Sequence, residues 1–339
     1  MRRILVLLNA RAGTLVDLGP DRIVAALASL REGGRAVEVR LVQPKKMPDA
    51  IRDAARSDHD ALIVGGGDGT ANLAATALSG SDKILGVLPF GTMNLFARDL
   101  GMPADPEAAI AALAQARPCR IDLASVNGRL FHTLSGIGFF SQMARAREET
   151  RGHPLGRLSS VAVAAWRALR RSGRFRFEIA IDDRTEVVDA SAVLITVNRF
   201  GADWRRTRLD GGALELHIAE SSGALGLAKA GADLLTGSWR DNPGIRSLSA
   251  RRVAIRHVRK RVWTATDGEL LRLRLPLTYE VRPKAVTVLL APPVAEATPT
   301  VRAGADEVDG DHPAKDRSAA DLSATDQPAA DRSAEVQRV

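Results

Sequence analysis

The chain has 339 residues, 45% apolar and 26% charged, which excludes a wholly disordered chain or a collagen-like repeat and leaves room for one large or two medium domains. One cysteine, Cys119, excludes an internal disulfide and a cysteine-cluster metal site and fits a cytoplasmic compartment. The net charge of +8 is uneven: residues 291–339 carry ten acidic and five basic side chains, a net of −5, which leaves +13 on residues 1–290 and favours nucleotide, nucleic acid or anionic membrane as partner.

The first 125 or so residues alternate short apolar runs with helical patterns. Met1-Arg2-Arg3 followed by Ile4–Leu8 imitates a signal peptide, but five apolar residues fall short of the roughly 7–15 of a true core region, and a buried strand is the better reading. Asp21–Leu30 spaces Ile23, Val24, Leu27 and Leu30 as a helix. Val37–Val42, Ala61–Val64 and Ile84–Leu88 read as strands; Asp49–Arg56, Asn72–Leu78 and Pro106–Ala114 read as helices. Such alternation predicts βαβ units and a mostly parallel, doubly wound sheet.

After Arg117-Pro118 the texture changes to short strands joined by Gly, Asp and Asn turns. They are Ile121–Val126, Leu130–Leu134, Phe175–Ile181, Glu186–Val197, Ala213–Ala219, Arg252–Arg256, Arg261–Thr266, Leu270–Leu275 and Thr278–Pro283, with one helix near Leu158–Arg171. This half is expected to be an antiparallel β-sandwich or barrel. The domains expected are an α/β nucleotide domain over residues 1–120, a β domain over 121–284, and a strand near 285–291 that could finish either. Residues 292–339 turn Ala-, Asp-, Pro- and Ser-rich and are expected to be disordered.

Ala61-Leu62-Ile63-Val64 runs straight into Gly65-Gly66-Gly67-Asp68-Gly69-Thr70 and then a helix. Glycines let an anionic group approach the backbone, and a helix start offers free N–H groups, so this loop predicts a phosphate cradle. It has neither the Lys-Ser/Thr of a Walker loop nor the dinucleotide spacing. Asp68 would repel a phosphate unless a cation bridges them, which points to Mg2+. Pro89-Phe90-Gly91-Thr92-Met93-Asn94 follows the next strand, and Asn9-Ala10-Arg11-Ala12-Gly13-Thr14 follows the first. Three loops at the carboxyl ends of parallel strands should converge on one crevice. Far along the chain, Thr266-Asp267-Gly268-Glu269 lies between two strands, where Asp-Gly is also an ordinary hairpin turn.

Together these residues resemble the diacylglycerol kinase catalytic-domain family, which includes sphingosine kinases and bacterial lipid kinases. The likeness spans about residues 3–292: Asn9 to Gly13, Gly66 to Thr70, Pro89 to Arg98, Gly136-Ile137-Gly138-Phe139, and Asp267-Gly268-Glu269. It implies an active site in a cleft between an α/β domain and a β-sandwich, with ATP as donor, Mg2+ as cofactor and a lipid hydroxyl as acceptor. It implies nucleotide contacts at Asn9, Gly13, Gly66, Gly67, Asp68, Gly69, Thr70, Thr92 and Asn94. Asp267, with Glu269 beside it, is the implied base; Asp68 is the other candidate, besides holding Mg2+ directly or through water, and the sequence does not separate the two. Two positions depart from the pattern. Leu95 stands where many relatives carry an acid, and Leu209-Asp210-Gly211-Gly212 has one acid where bacterial members often have two tied to a structural Mg2+, which leaves Asp210 as that ion's one candidate ligand.

A lipid substrate implies a protein peripheral at the inner face of the membrane. Arginine clusters at Arg167, Arg170, Arg171, Arg174 and Arg176, at Arg205, Arg206 and Arg208, and at Arg251, Arg252, Arg256, Arg259, Lys260 and Arg261 supply charge for an anionic surface, although each alone is read as a solvated face. No apolar run reaches the roughly 20 residues of a spanning helix, and Ala224–Trp239 is expected in the core. Aromatic residues do not interleave with the clusters as nucleic-acid stacking would require, so no nucleic acid is expected as partner. His59, His132, His153 and His217 lack ligand spacing, so no zinc is expected. An NAD kinase would use the same glycine loop without need of the late Asp-Gly-Glu, and a non-catalytic membrane-binding regulator would not need Asp68, Asp267 and Glu269.

Overall fold

The computed structural model describes residues 1–149, 174–203, 205–220, 226, 229, 232–233 and 237–292. The expected helix near Leu158–Arg171, with Arg167, Arg170 and Arg171, most of Ala224–Trp239, and the tail from residue 293 lie outside them.

The first strands are β1 (Arg3–Asn9), β2 (Ala36–Val42), β3 (Ala61–Gly66) and β4 (Ile84–Pro89), paired in parallel in the order β2-β1-β3-β4. Every residue of β3 is buried and so are Ile4 to Leu8 of β1, as a parallel sheet covered on both faces requires. Edge strand β2 instead alternates in exposure. The covering helices are α1 (Gly13–Leu18), α2 (Pro20–Ala26), α3 (Met47–Arg56), α4 (Asp68–Leu78), α5 (Leu95–Asp99) and α6 (Pro106–Gln115). Helix α3 buries Met47, Ile51 and Ala54, one face at helical spacing. Helix α6 starts where Asp105 Oδ1 accepts the Ala108 N–H at 2.8 Å, with Pro106 in the first turn.

The second half is β5 (Arg117–Val126), β6 (Arg129–Phe131), β7 (Leu134–Gly138), α7 (Phe139–Glu149), β8 (Phe175–Ile181), β9 (Arg184–Ala190), β10 (Ala192–Val197), β11 (Leu214–Ala219), β12 (Ile245–Ala250), β13 (Arg252–Arg256), β14 (Arg261–Thr266), β15 (Glu269–Arg274) and β16 (Leu277–Leu290). Six of these make an antiparallel sheet in the order β12-β11-β10-β7-β14-β15. A second hydrophobic core, with Phe131, Ile137, Phe177, Ile195 and Tyr279, is distinct from the core of the α/β half. The architecture is therefore an N-terminal mixed α/β sheet followed by an antiparallel β domain.

Strand β16 joins the two. Along one side it pairs with β5 throughout, with a bulge between Arg282 and Val286. On its other side its first half pairs with β13 and its second half with β4, in parallel at Thr287 and Val288. The ten-stranded sheet thus runs unbroken through both halves. The runs Thr278–Pro283 and Ala285–Leu290, expected as two strands, are the two ends of this one element. Glu186–Val197, expected as one strand, divides at Ser191 into β9 and β10, which enter different sheets. Alternation of side chains cannot mark such a crossing, because both segments keep the same period. Leu130–Leu134 divides for another reason: His132 and Thr133 turn their N–H groups toward Asp267. Helix α7 and strand β12 carry no expectation from the sequence.

One arginine moves from surface to core. Arg206, expected in a surface cluster with Arg205 and Arg208, is buried, and its guanidinium pairs with buried Asp99 at the end of α5. Its backbone N–H adds a bond to Asp99 Oδ1 at 2.8 Å, and Nη1 donates to the Asp122 carbonyl at 3.0 Å.

On the six-stranded sheet, Glu215 takes a bidentate pair from Arg240 at 2.8 and 2.6 Å, and His217 Nε2 stands 3.5 Å from it. Burial pushes the Glu215 carboxyl up, but hydrogen bonds and charge from His217 and Arg240 outweigh that and bring it down to about 2. A carboxyl lowered from its ordinary 4.5 on folding stabilises the native state fully above that value and loses the contribution as pH falls toward about 2. The urea-midpoint advantage of the wild type over Glu215→Gln should therefore shrink as pH is lowered through this window; a constant difference would disconnect Glu215 from acid stability.

Candidate active site

The register of the parallel strands aligns the three loops. Leu8 pairs with Gly65 and Gly66 with Pro89, so the segments after β1, β3 and β4 leave the sheet side by side. In the first, Asn9 folds the turn: its Oδ1 accepts the Arg11 N–H at 3.1 Å and its carbonyl that of Ala12 at 2.9 Å, before Gly13 opens α1.

Helix α4 starts four residues earlier than its apolar pattern implies, so Asp68 is its first residue rather than part of the loop. Gly67 is the N-cap and no side chain caps it, while the Thr70 and Ala71 N–H groups bond back to the Gly67 carbonyl. The Asp68 and Gly69 N–H groups at the positive end of this helix therefore have no capping side chain, as an anion site needs. Asp68 Oδ1 accepts the Phe96 N–H at 3.1 Å, which ties the glycine loop to α5.

The second loop is closed on itself by Asn94. This residue has φ 48°, its Oδ1 accepts the Gly91 N–H at 2.8 Å, and its Nδ2 donates to the Pro89 and Gly91 carbonyls at 2.9 Å each. The Asn94 side chain, expected at the nucleotide, is committed to shaping the loop; Thr92 is exposed at its tip. Gly91 packs on Gly67 so closely that a Cβ on Gly91 would stand 2.3 Å from the Gly67 Cα. Both glycine loops thus meet backbone to backbone, a contact that any side chain at position 91 would break.

Strands β14 and β15 carry the late motif to these loops. Asp267 and Gly268 form the turn with φ of 46° and 83°. Glu269, exposed, brings its Oε1 to 3.7 Å from where a Cβ on Gly69 would be. Residues nearly 200 positions apart in the chain therefore face one another across the crevice.

Asp267 itself is buried, 4% exposed, and its carboxylate is fully engaged. Oδ2 accepts the His132 N–H at 2.8 Å; Oδ1 accepts the Thr133 N–H at 3.0 Å, the Thr133 hydroxyl at 2.7 Å and the Leu134 N–H at 3.2 Å. Oδ1 thus shares three donors and Oδ2 has one, in surroundings closed to solvent. The Asp267 carboxylate, one of the two bases left open by the sequence, is in this state a structural hub. His132, wholly buried, places Nε2 3.5 Å from Asp267 Oδ2 and stacks on Phe96, ring centroids 4.3 Å apart. His132, Thr133 and Phe96 were missed as site residues, since nothing in their spacing announces a contact with a turn more than 130 residues away.

The donor set fits Mg2+ of the kind that keeps most of its waters and binds one or two carboxylates plus substrate phosphates: Asp68 and Glu269 flank the crevice, and the uncapped α4 start fits the phosphates. Among the described residues no three His, Cys, Asp or Glu side chains gather as a protein-only metal cage would need. Asp210, the candidate for a structural Mg2+, is exposed and accepts from Arg208 Nε at 3.3 Å and Nη2 at 3.1 Å. A cation already occupies that carboxylate. The neighbouring turn is held instead by buried Asp122, whose Oδ2 accepts from Gly212 N at 2.6 Å and Asn198 Nδ2 at 3.0 Å.

Comparison with known proteins agrees with this layout. Residues 3–126 match the diacylglycerol kinase catalytic domain, and residues 137–290 match the YegS C-terminal NAD kinase beta sandwich-like domain. The chain belongs to the diacylglycerol kinase catalytic-domain family with a YegS-type C-terminal domain. Over 142 residues it is 39% identical to a Pseudomonas aeruginosa protein named "Probable lipid kinase YegS-like", covering 41% of this chain and 46% of that one. Over 148 residues it is 30% identical to a diacylglycerol kinase of Staphylococcus saprophyticus, covering 42% and 47%. The matched part thus spans about half the length of these relatives. A Bacillus anthracis structure described as a diacylglycerol kinase shares the fold, with TM-score 0.62 at 19% identity, covering 86% of this chain and 97% of that one.

The two glycines separate packing from ligand space. Gly91→Ala should cost roughly 1–3 kcal/mol through overpacking and lower the Tm. Gly69→Ala meets nothing closer than 3.7 Å and should hold or raise the Tm through helix propensity. Scanning fluorimetry of both variants checks this; a Gly91→Ala protein as stable as wild type would contradict the close-approach argument.

Proposed function

We propose that the chain is an ATP-dependent lipid kinase that transfers the γ-phosphoryl group to a lipid hydroxyl, of diacylglycerol or a related long-chain alcohol. The observation that carries the reading is the meeting of Glu269 with the Gly66–Thr70 loop, which sets carboxylates on both sides of an anion-binding helix start. In this reading ATP sits over residues 1–120 and the 285–291 strand, the lipid against residues 121–284, and the protein is peripheral at the inner membrane face.

Phosphoryl transfer asks mainly for position and charge stabilisation. The α4 N–H groups hold phosphate oxygens, with Asn9 and Gly13 shaping one wall and the Asn94-closed loop the other. Mg2+, when bound, neutralises charge on the β- and γ-phosphates. Glu269 is the carboxylate that would hold it directly, with Asp68 reaching it only through a bound water. The lipid oxygen attacks the γ-phosphorus, the bond to the β-phosphate oxygen breaks, and ADP leaves. The hydroxyl proton passes to Asp68, whose Oδ2 is left open by the single bond from Phe96 to Oδ1. Asp267 is a positioning residue, fixing the 132–134 backbone and the hairpin that presents Glu269.

Three substitutions test the assignment. Asp68→Asn should keep the Tm and lower turnover by roughly 10²–10⁴, the span of general-base catalysis. Glu269→Gln should raise the Mg2+ concentration needed for half-maximal rate. Asp267→Asn turns an amide NH2 toward N–H donors, leaving buried groups unmade at about 1–3 kcal/mol each, so Tm and turnover should fall together. Lipid phosphorylation is measured with ATP over a panel that includes diacylglycerol, a sphingoid base and NAD. Phosphorylation of NAD with no lipid product would overturn the function. An Asp267→Asn protein of unchanged Tm and abolished turnover would return the base role to Asp267.

A further inference from the structure

The loop between β13 and β14 presents Val258 at 95% exposure, flanked by His257, Arg259 and Lys260. An aliphatic side chain so placed gains nothing from water. In the hairpin that follows, Arg261 pairs across the strands with Arg274, and Trp263 with Arg272. Strand alternation puts these four on one face, opposite Val262 and Leu273, which pack on the second core; helix α7 packs on that same face toward β7, where Gly136 meets Phe140 and pairs with Ala265, and Arg261, Arg272 and Arg274 stay exposed at the other end. Arg272 lies over the Trp263 ring at 5.9 Å, and Arg259 over the Phe175 ring at 5.6 Å. Among the described residues, no carboxylate forms an ion pair with Arg259, Lys260, Arg261, Arg272 or Arg274, whereas Arg240, Arg246, Arg252 and Arg256 each have one. An apolar tip, a half-buried tryptophan and five cations without an ion pair among the described residues therefore gather at one end of this hairpin. The strands run six residues, roughly 20 Å, to the turn before Glu269, whose side chain belongs to the opposite face.

We propose that the 257–261 loop and the adjoining end of the β14–β15 hairpin, with exposed Arg261, Arg272 and Arg274, dock on an anionic phospholipid bilayer, with Val258 entering the headgroup boundary and the cations meeting lipid phosphates. The choice of a lipid surface rests on the lipid-kinase reading. Nucleic acid would meet the cations but give Val258 no apolar environment; a bilayer satisfies both, and its interface favours Trp.

The test is co-sedimentation of the full chain with phosphatidylcholine vesicles with and without phosphatidylglycerol. The docking variant is Val258→Asp with Arg259→Glu and Lys260→Glu; a second is Arg272→Glu with Arg274→Glu. All five positions are exposed, and unchanged Tm values verify folding. The control is Arg31→Glu with Arg56→Glu, on the α/β half. Each charge near an anionic surface counts for about 1 kcal/mol, so each docking variant should lose about tenfold or more in binding to anionic vesicles, with the control near wild type. Turnover on vesicles should fall while turnover on detergent-dispersed lipid is kept. Docking variants that bind as wild type would overturn the proposal, as would an equal loss in the control, or a wild type that prefers duplex oligonucleotide through the same residues. If no lipid is phosphorylated in any presentation but vesicle binding still depends on Val258, the kinase reading falls and the docking surface stands.

Discussion

Two hydrophobic cores share one pair of strands. Ile121 and Leu123 of β5 and Val286 and Val288 of β16 belong to the α/β core, while Ala124, Val126, Leu277 and Tyr279 of the same strands belong to the β core. The bulge between Arg282 and Val286 falls where the ribbon passes from one to the other. A bulge bends a strand and sharpens its twist. Because β4 and β13 both hydrogen-bond to this one strand, the two halves are joined by backbone pairing rather than by a loose linker. The Asp267 turn can therefore meet the glycine loop in a fixed register, a precision that an exposed hinge would not provide.

That precision is refined by a buried carboxylate. Asp267 draws the backbone of residues 132 to 134 out of a continuous strand and so divides β6 from β7. A carboxylate taken out of water is costly unless it is hydrogen-bonded, and four donors reach this one. The same segment sets His132 against Phe96, whose own N–H is held by Asp68. A chain of short contacts thus runs from the hairpin through His132 and Phe96 to the first turn of α4. The acids that look most chemical in the sequence thus have different surroundings: Asp267 is buried on backbone N–H groups, Asp68 is tied to the Phe96 N–H, and Glu269 is exposed beside Gly69.

Charge divides in a similar way. Arg206 and Asp99 form a buried pair that fixes the end of α5, and their carboxylate and guanidinium are not available to any ligand. Arg208 neutralises Asp210, and Arg240 with His217 hold Glu215. Of these pairs only Arg208–Asp210 lies between exposed groups and adds little stability. They still decide which cations remain free for a partner, and the net charge of the chain does not reveal them. The cations named above without an ion pair lie on the β13–β14 loop and the edge hairpin of the six-stranded sheet.

Much of the fold was legible because it rests on local pattern. Continuous apolar runs such as Ile4–Leu8 and Ala61–Val64 belong to parallel strands buried on both faces, and the glycines after β3 marked the turn from strand into helix α4. The strand-rich second half was equally visible in its turns and alternation. What stayed hidden depends on contacts distant in sequence. The crossing at Ser191 between two sheets, the union of 278–283 with 285–290, the burial of Arg206 and the occupation of Asp267 leave no periodic trace. Local propensity sets period and turn type, whereas sheet membership and the pairing of a charge are settled only when distant segments compete for the same hydrogen bonds. The sequence by itself determined that three loops and an Asp-Gly-Glu turn belonged to one α/β-plus-β architecture. The tertiary structure alone decided that Asp267 is buried against the backbone of residues 132 to 134 while Glu269 stays exposed, because only the packing of distant segments fixes a carboxylate's burial and partners.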